Sequence, residues 1–141
     1  MPYAPGILSA VGYNAGRQVV TNELRTAGAA ARIQITQLPA AGSSGITFCE
    51  ITVMDEAGVV VSDATPAVTV KVEGAGKLIG LDTGDLSYVG LFKTDTRNAY
   101  QGRLLATVQR IGPAGEARLA AAAPGLPTAT FVLSTTASGT R

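Results

Sequence analysis

Histidine and tryptophan are absent from the 141 residues, and cysteine occurs once, as Cys49. With no imidazole and a single thiol, the usual zinc ligand sets cannot be assembled from this chain. A histidine-activated nucleophile and an intrachain disulfide are excluded for the same reason. Cys49, followed at alternate positions by Ile51 and Val53, is expected to point into an apolar interior. Charge is also scarce: 15% of residues carry it, against roughly 25% in an ordinary domain. The 11 basic and 10 acidic residues nearly cancel and are spread along the chain. No basic stripe forms that nucleic acid or an anionic membrane would require. Long apolar runs are missing too; a stretch such as Leu119 to Ala123 falls far short of the ~20 residues that span a bilayer. No charged segment followed by an apolar one opens the sequence, so for an exported parent the leader is expected upstream of Met1.

What is present is the vocabulary of strands and turns. The 17 glycines and 7 prolines punctuate the chain, and the segments between them alternate apolar with polar residues. Val68, Val70 and Val72 alternate with Thr69, Lys71 and Glu73. Leu104, Ala106 and Val108 do the same apart from one extra Leu105, as do Ala117, Leu119 and Ala121, and then Ala129, Phe131 and Leu133. Each set gives a strand one dry face, and two such sheets packed together make a sandwich. Alanine's helix propensity invites a helix over Leu119–Ala123. The stretch between Gly115 and Pro124 is too short for one, and Pro124-Gly125 closes it as a turn does. Hairpin loops are predicted at Asn14-Ala15-Gly16 and at Asp55-Glu56-Ala57-Gly58. The length suits one domain or one domain with a piece of another, and is too short for a catalytic barrel. A boundary is predicted in the small, flexible residues from Leu38 to Ser44. It divides the chain into residues 1–37, with two or three strands that cannot close a core alone, and residues 38–141, an immunoglobulin-like sandwich of ~100 residues.

The run Pro2-Tyr3-Ala4-Pro5-Gly6-Ile7-Leu8-Ser9-Ala10, the following Arg17-Gln18-Val19-Val20 and then Thr26-Ala27-Gly28 resemble the end of the β-sandwich module that follows the barrel in bacterial family 2 glycoside hydrolases of the β-galactosidase type. The second segment resembles the immunoglobulin-like C-terminal domain of the same enzymes. Its matching residues are Ile51-Thr52-Val53-Met54-Asp55 with Gly58; Val72 to Gly80; Thr83-Gly84-Asp85; Phe92-Lys93; and Arg97-Asn98-Ala99-Tyr100-Gln101-Gly102-Arg103. One departure is Thr83, where this family usually carries asparagine before the Gly-Asp. The resemblance implies an all-β fold, an immunoglobulin-like β-sandwich preceded by the closing strands of another sandwich module. It also implies a parent that hydrolyses O-glycosidic bonds, β-galactosides by expectation, in a bacterial periplasm or outside the cell. The catalytic glutamate pair is then expected in an absent barrel, and this fragment is expected to be a non-catalytic accessory domain that spaces or braces it.

Weighed against that expectation, the chain's own chemistry is thin. Asp82 and Asp85 lie close together in a Gly-rich turn, where such side chains commonly bond their own backbone. Asp82, Asp85 and Asp95 do not have the spacing of a calcium loop. Gly74-Ala75-Gly76-Lys77 lacks the following helix a phosphate cradle needs. No catalytic residue, metal or cofactor is therefore predicted. A glycan is the second candidate partner after the rest of the parent glycosidase: Tyr88 and Tyr100 would stack on sugar faces while Asp85, Arg97 and Asn98 bond hydroxyls. A carbohydrate-binding module and a bacterial adhesin repeat are the alternatives to an architectural role. The orphan strands of the first segment also leave an edge through which two copies could pair as a homodimer.

Overall fold

The computed structural model describes residues 2, 4–39, 45–112 and 115–135. They are all β. A two-stranded hairpin, β1 (Ile7–Asn14) and β2 (Arg17–Arg25), comes first. Eight strands follow: β3 (Arg32–Gln37), β4 (Ile46–Met54), β5 (Ala67–Gly74), β6 (Gly76–Asp82), β7 (Thr96–Asn98), β8 (Arg103–Arg110), β9 (Gly115–Ala122) and β10 (Ala129–Thr135). They form two antiparallel sheets, ordered β3-β4-β8-β6 and β10-β9-β5-β7. That is the pairing of an immunoglobulin-type sandwich, four strands on one side and a three-stranded sheet with one short added edge strand on the other.

The alternation read from the sequence is the core. Val68, Val70, Leu104, Ala106, Val108, Ala117, Leu119, Ala121 and Leu133 are all buried and meet Ile51, Val53 and Leu81 between the sheets. Each large side chain withdrawn from water contributes about 1.5–3 kcal/mol. The run Leu119–Ala122 completes β9 and is no helix, because Leu119 and Ala121 must face inward while Arg118 faces out. Cys49 is fully buried on β4. Burial pushes its thiol up to about 11, since the thiolate would lose its hydration.

Among the described residues, two turns hold a non-glycine residue in left-handed backbone. Ala15 (φ 49°) and Gly16 (φ 77°) close the first hairpin between the paired Asn14 and Arg17, the two-residue geometry that matches strand twist. Gln101 (φ 51°) and Gly102 (φ 71°) make the same kind of turn before β8, with Tyr100 bridged to Arg103.

The predicted boundary requires correction. Residues 40–44, most of its small-residue stretch, lie outside the described residues. The strand before it belongs to the sandwich, however: β3 pairs with β4 from Arg32↔Met54 to Gln37↔Cys49, and Ile33 and Ile35 lie in the common core. Small flexible residues serve a hairpin connection between adjacent strands as well as they serve a linker, and composition alone does not distinguish the two. What stands apart from the sandwich core is the hairpin of β1 and β2.

Candidate functional site

The end of the sandwich where β6 stops and β7 starts is covered by the loop from Thr83 to Asp95, and every residue of the predicted glycan site lies on or beside it. Thr83, Asp85, Tyr88, Arg97, Asn98 and Tyr100, with Thr65, Thr96 and Ala99, line one open cavity of about 480 Å³, within the ~300–1,000 Å³ range of small-molecule sites. The geometry assigns these residues unlike roles. Arg97 sits at the centre of β7, opposite Val68, and points inward with only 3% of its side chain exposed. Its Nη1 donates to the Leu81 carbonyl at 2.8 Å and lies 3.7 Å from Asp82 Oδ1. Its guanidinium carbon stands 3.7 Å from the centre of the Tyr88 ring and 4.8 Å from that of Phe92. The two rings meet edge to face at 5.8 Å. Such a desolvated cation–π pair is worth up to about 2 kcal/mol. Arg97 thus lines the cavity as a buried side chain beneath the loop. Its Nη2 has no hydrogen-bond partner among the described residues.

Tyr88, 37% exposed, is engaged on one side. One ring face carries Arg97, the hydroxyl donates to the Leu91 carbonyl at 3.3 Å, and Gly90 lies so near the ring that a Cβ there would strike it. Arg97 thus covers one face of the Tyr88 ring. Tyr100, 40% exposed, and the exposed Asn98 keep their outward positions.

The carboxylates shape turns. Asp82 Oδ1 accepts the N–H groups of Thr83 (2.7 Å) and Gly84 (3.2 Å). Asp85 Oδ1 accepts the Ser87 N–H at 2.9 Å and its hydroxyl at 2.6 Å. The Ser87 hydroxyl, then its N–H, holds the Asp85 carboxyl below its usual range. Groups of three or more His, Cys, Asp or Glu side chains able to hold a metal are absent among the described residues.

Two features escaped the sequence reading. Asp55, expected only in a hairpin loop, is buried and accepts the backbone N–H groups of Gly28 and Val59. The loop itself is the other: Leu86 and Val89 are fully exposed, and Leu91 and Phe92 largely so. The available signal was four apolar residues without alternation in a segment bounded by Gly84 and Lys93. The hairpin is similar. Leu8 faces Leu24 and Gly12 faces Val20 across β1 and β2, and with Ala10 they share one face of the pleat. That face lies open to water, while Ser9, Glu23 and Arg25 bond one another on the opposite face.

Residues 32–132 match the model of the glycoside hydrolase family 2 C-terminal domain 5. A β-galactosidase of Bacteroides ovatus is 31% identical over 135 residues, which is 94% of this chain and 16% of that protein. A glycosyl hydrolase family 2 member from Bacteroides cellulosilyticus has a solved structure that superposes with a TM-score of 0.85 at 26% identity, over 94% of this chain and 19% of that one. A β-glucuronidase of Parabacteroides merdae shares the fold at a TM-score of 0.63 and 23% identity, over 94% of this chain and 17% of its own. The chain thus spans less than a fifth of the length of each relative.

Proposed function

Because this chain belongs to the glycoside hydrolase family 2 C-terminal domain 5 family, we propose that it is a non-catalytic accessory domain of a bacterial family 2 hydrolase, acting by packing against the remainder of that polypeptide. The observation that carries this reading is the β1–β2 hairpin. Leu8, Val20 and Leu24 are each about 60–70% exposed on one face, and an isolated two-stranded hairpin is marginal at best in water. The hairpin is read as the closing strands of a preceding sandwich module, whose sheet would cover that face. The parent is proposed to act on O-glycosidic bonds of β-galactosides in the periplasm or outside the cell, following its similarity to the Bacteroides ovatus β-galactosidase. The two-carboxylate chemistry of glycoside cleavage is assigned to the upstream part of that polypeptide, since Asp82 and Asp85 are spent on their own turns.

The test compares hydrolysis of nitrophenyl β-galactoside and nitrophenyl β-glucuronide by the 141-residue chain and by the full polypeptide that carries it. Turnover by the full polypeptide alone is expected. Turnover by the 141-residue chain would sink the accessory reading, and preference for the glucuronide would change the substrate.

One observation favours a second reading, glycan binding: five residues chosen for that role line a single cavity. With Arg97 buried and one face of Tyr88 covered by it, the groups most open to a sugar are Tyr100, Asn98, the Tyr88 edge and the second oxygen of Asp85. Affinity electrophoresis in galactan gels, with Tyr100→Ala as control, measures it. Retardation lost in the variant supports the site; unretarded migration of both proteins removes it.

A further inference from the structure

Resting on the reading just given, we propose that the loop Thr83–Lys93 is a second docking element, inserting into an apolar surface of the hydrolase polypeptide that precedes this domain. Leu86 and Val89 have relative exposures of 102% and 99%, and Leu91 of 78%. A loop that throws three aliphatic side chains into water ordinarily does so by being slack. This one is held. The Leu81 N–H donates to the Phe92 carbonyl at 2.9 Å, the Thr94 N–H to the same carbonyl at 3.0 Å, and the Tyr88 N–H to Asp85 at 3.2 Å. Asp82 and Asp85 cap its first turn, and buried Arg97 grips Tyr88 and Phe92 from beneath. The ordering cost of binding is met before any partner arrives. Apolar surface presented on a fixed frame marks an interaction site.

The register says what stands opposite. Asp82 pairs with Leu105 on β8, two residues from Arg103, which faces Thr52. Two residues further, Met54 pairs with Arg32, where β3 begins and the hairpin's connection arrives. Val60, Ser62 and Asp63 at that end border a cleft with Leu8, Leu24 and Thr26 at the hairpin's base. Loop and hairpin therefore leave the sandwich at the same end, from opposite edges of the β3-β4-β8-β6 sheet, so a body that takes the hairpin and reaches across that end meets the loop. The relatives are more than five times as long as the stretch this chain covers, so the occupant is the preceding part of the hydrolase. A glycan would need polar groups where Leu86, Val89 and Leu91 stand.

Hydroxyl-radical footprinting of the 141-residue chain and of the full polypeptide carrying it tests this. Oxidation of Leu86, Leu91 and Phe92 is expected to fall at least five-fold in the full polypeptide, together with that of Leu8 and Leu24. Protection of Leu8 and Leu24 without Leu86 and Leu91 overturns the docking loop and leaves the accessory reading standing. Protection of neither group overturns both. Protection of the loop in the isolated chain that rises with concentration assigns the surface to a second copy and also overturns the proposal. As a second measurement, Leu86→Ser with Val89→Ser should leave the melting temperature of the isolated chain unchanged and lower that of the full polypeptide by several degrees; equal melting in both settings counts against insertion.

Discussion

Asp55 Oδ2 accepts the Gly28 N–H at 2.8 Å, while its Oδ1 accepts the Val59 N–H at the same distance. One carboxylate thus ties the segment after the hairpin to the turn that closes β4. The Gly28 bond and then the Val59 bond hold its pKa below the usual carboxylate value. A group whose folded pKa is depressed stabilises the fold above its unfolded pKa and loses that contribution as pH falls toward the folded value. Asp55→Asn, whose amide can accept only one of the two donors, should melt several degrees lower at pH 7. Its stability should fall less steeply than that of the parent chain between about pH 5 and 2. Parallel acid limbs in the two proteins would refute the latch, and amide exchange at Gly28 and Val59 localises the loss.

Gly102 and Gln101 share one turn and predict opposite outcomes. At Gly102, φ is 71° and an added Cβ would run into the Val61 carbonyl. The residue also accepts from the Val53 N–H at 2.8 Å and donates to Ala64 at 3.1 Å. Gly102→Ala should cost about 2–3 kcal/mol or more. Gln101 holds φ at 51° with a side chain in place, so Gln101→Gly should gain up to about 1 kcal/mol. Urea midpoints at unchanged m-value measure both; loss in both variants would contradict the geometry.

How far this could be read from the sequence depended on whether the information was local. β5, β8 and β9 alternate, apart from Leu105 on β8 and the alanines that close β9, and their inward residues lie in the core. The Ala15-Gly16 turn is likewise visible, because a two-residue loop carries its own φ requirement. Arg97 was not legible in the same way. Between Thr96 and Asn98 it reads as an outward polar residue. Only Leu81, Tyr88 and Phe92, five to sixteen positions earlier, make an inward guanidinium tolerable. The β3 boundary failed because turn and linker share a composition, and Asp55 was missed because a loop aspartate looks the same whether it faces water or two backbone donors.

Arg97→Lys should loosen the loop without melting the sandwich core. An ammonium keeps the charge but loses the planar face that lies on Tyr88 and the fork that reaches Leu81. Losing a charged hydrogen bond and the ring contact should cost about 2–3 kcal/mol. Proteolysis should open first between Leu86 and Lys93. Cleavage there at the parent rate would show that Arg97 does not hold the loop.

Cys49 should resist alkylation in the native protein. Its thiol is fully buried and its pKa of about 11 leaves almost no thiolate at pH 8, so reaction requires unfolding. Iodoacetamide labelling should follow the global unfolding rate across a urea series. Labelling faster than unfolding would point to a local opening of β4.

The hairpin yields the last prediction, which concerns the isolated chain. Among the described residues, Leu8, Val20 and Leu24 have no cover and neither long edge of the β1–β2 hairpin is paired with a further strand. Unpaired edges and open apolar faces invite a second copy. The 141-residue chain is therefore expected to dimerise reversibly as its concentration rises, and Leu24→Lys, placed on that face opposite Leu8 near the hairpin's base, should return it to a monomer. The sandwich core should not notice the change, because Leu24 contributes nothing to it. Sedimentation velocity over a hundred-fold concentration range reads both proteins. A parent chain monomeric throughout would remove self-pairing, and a dimer that survives Leu24→Lys would place the contact elsewhere than this face.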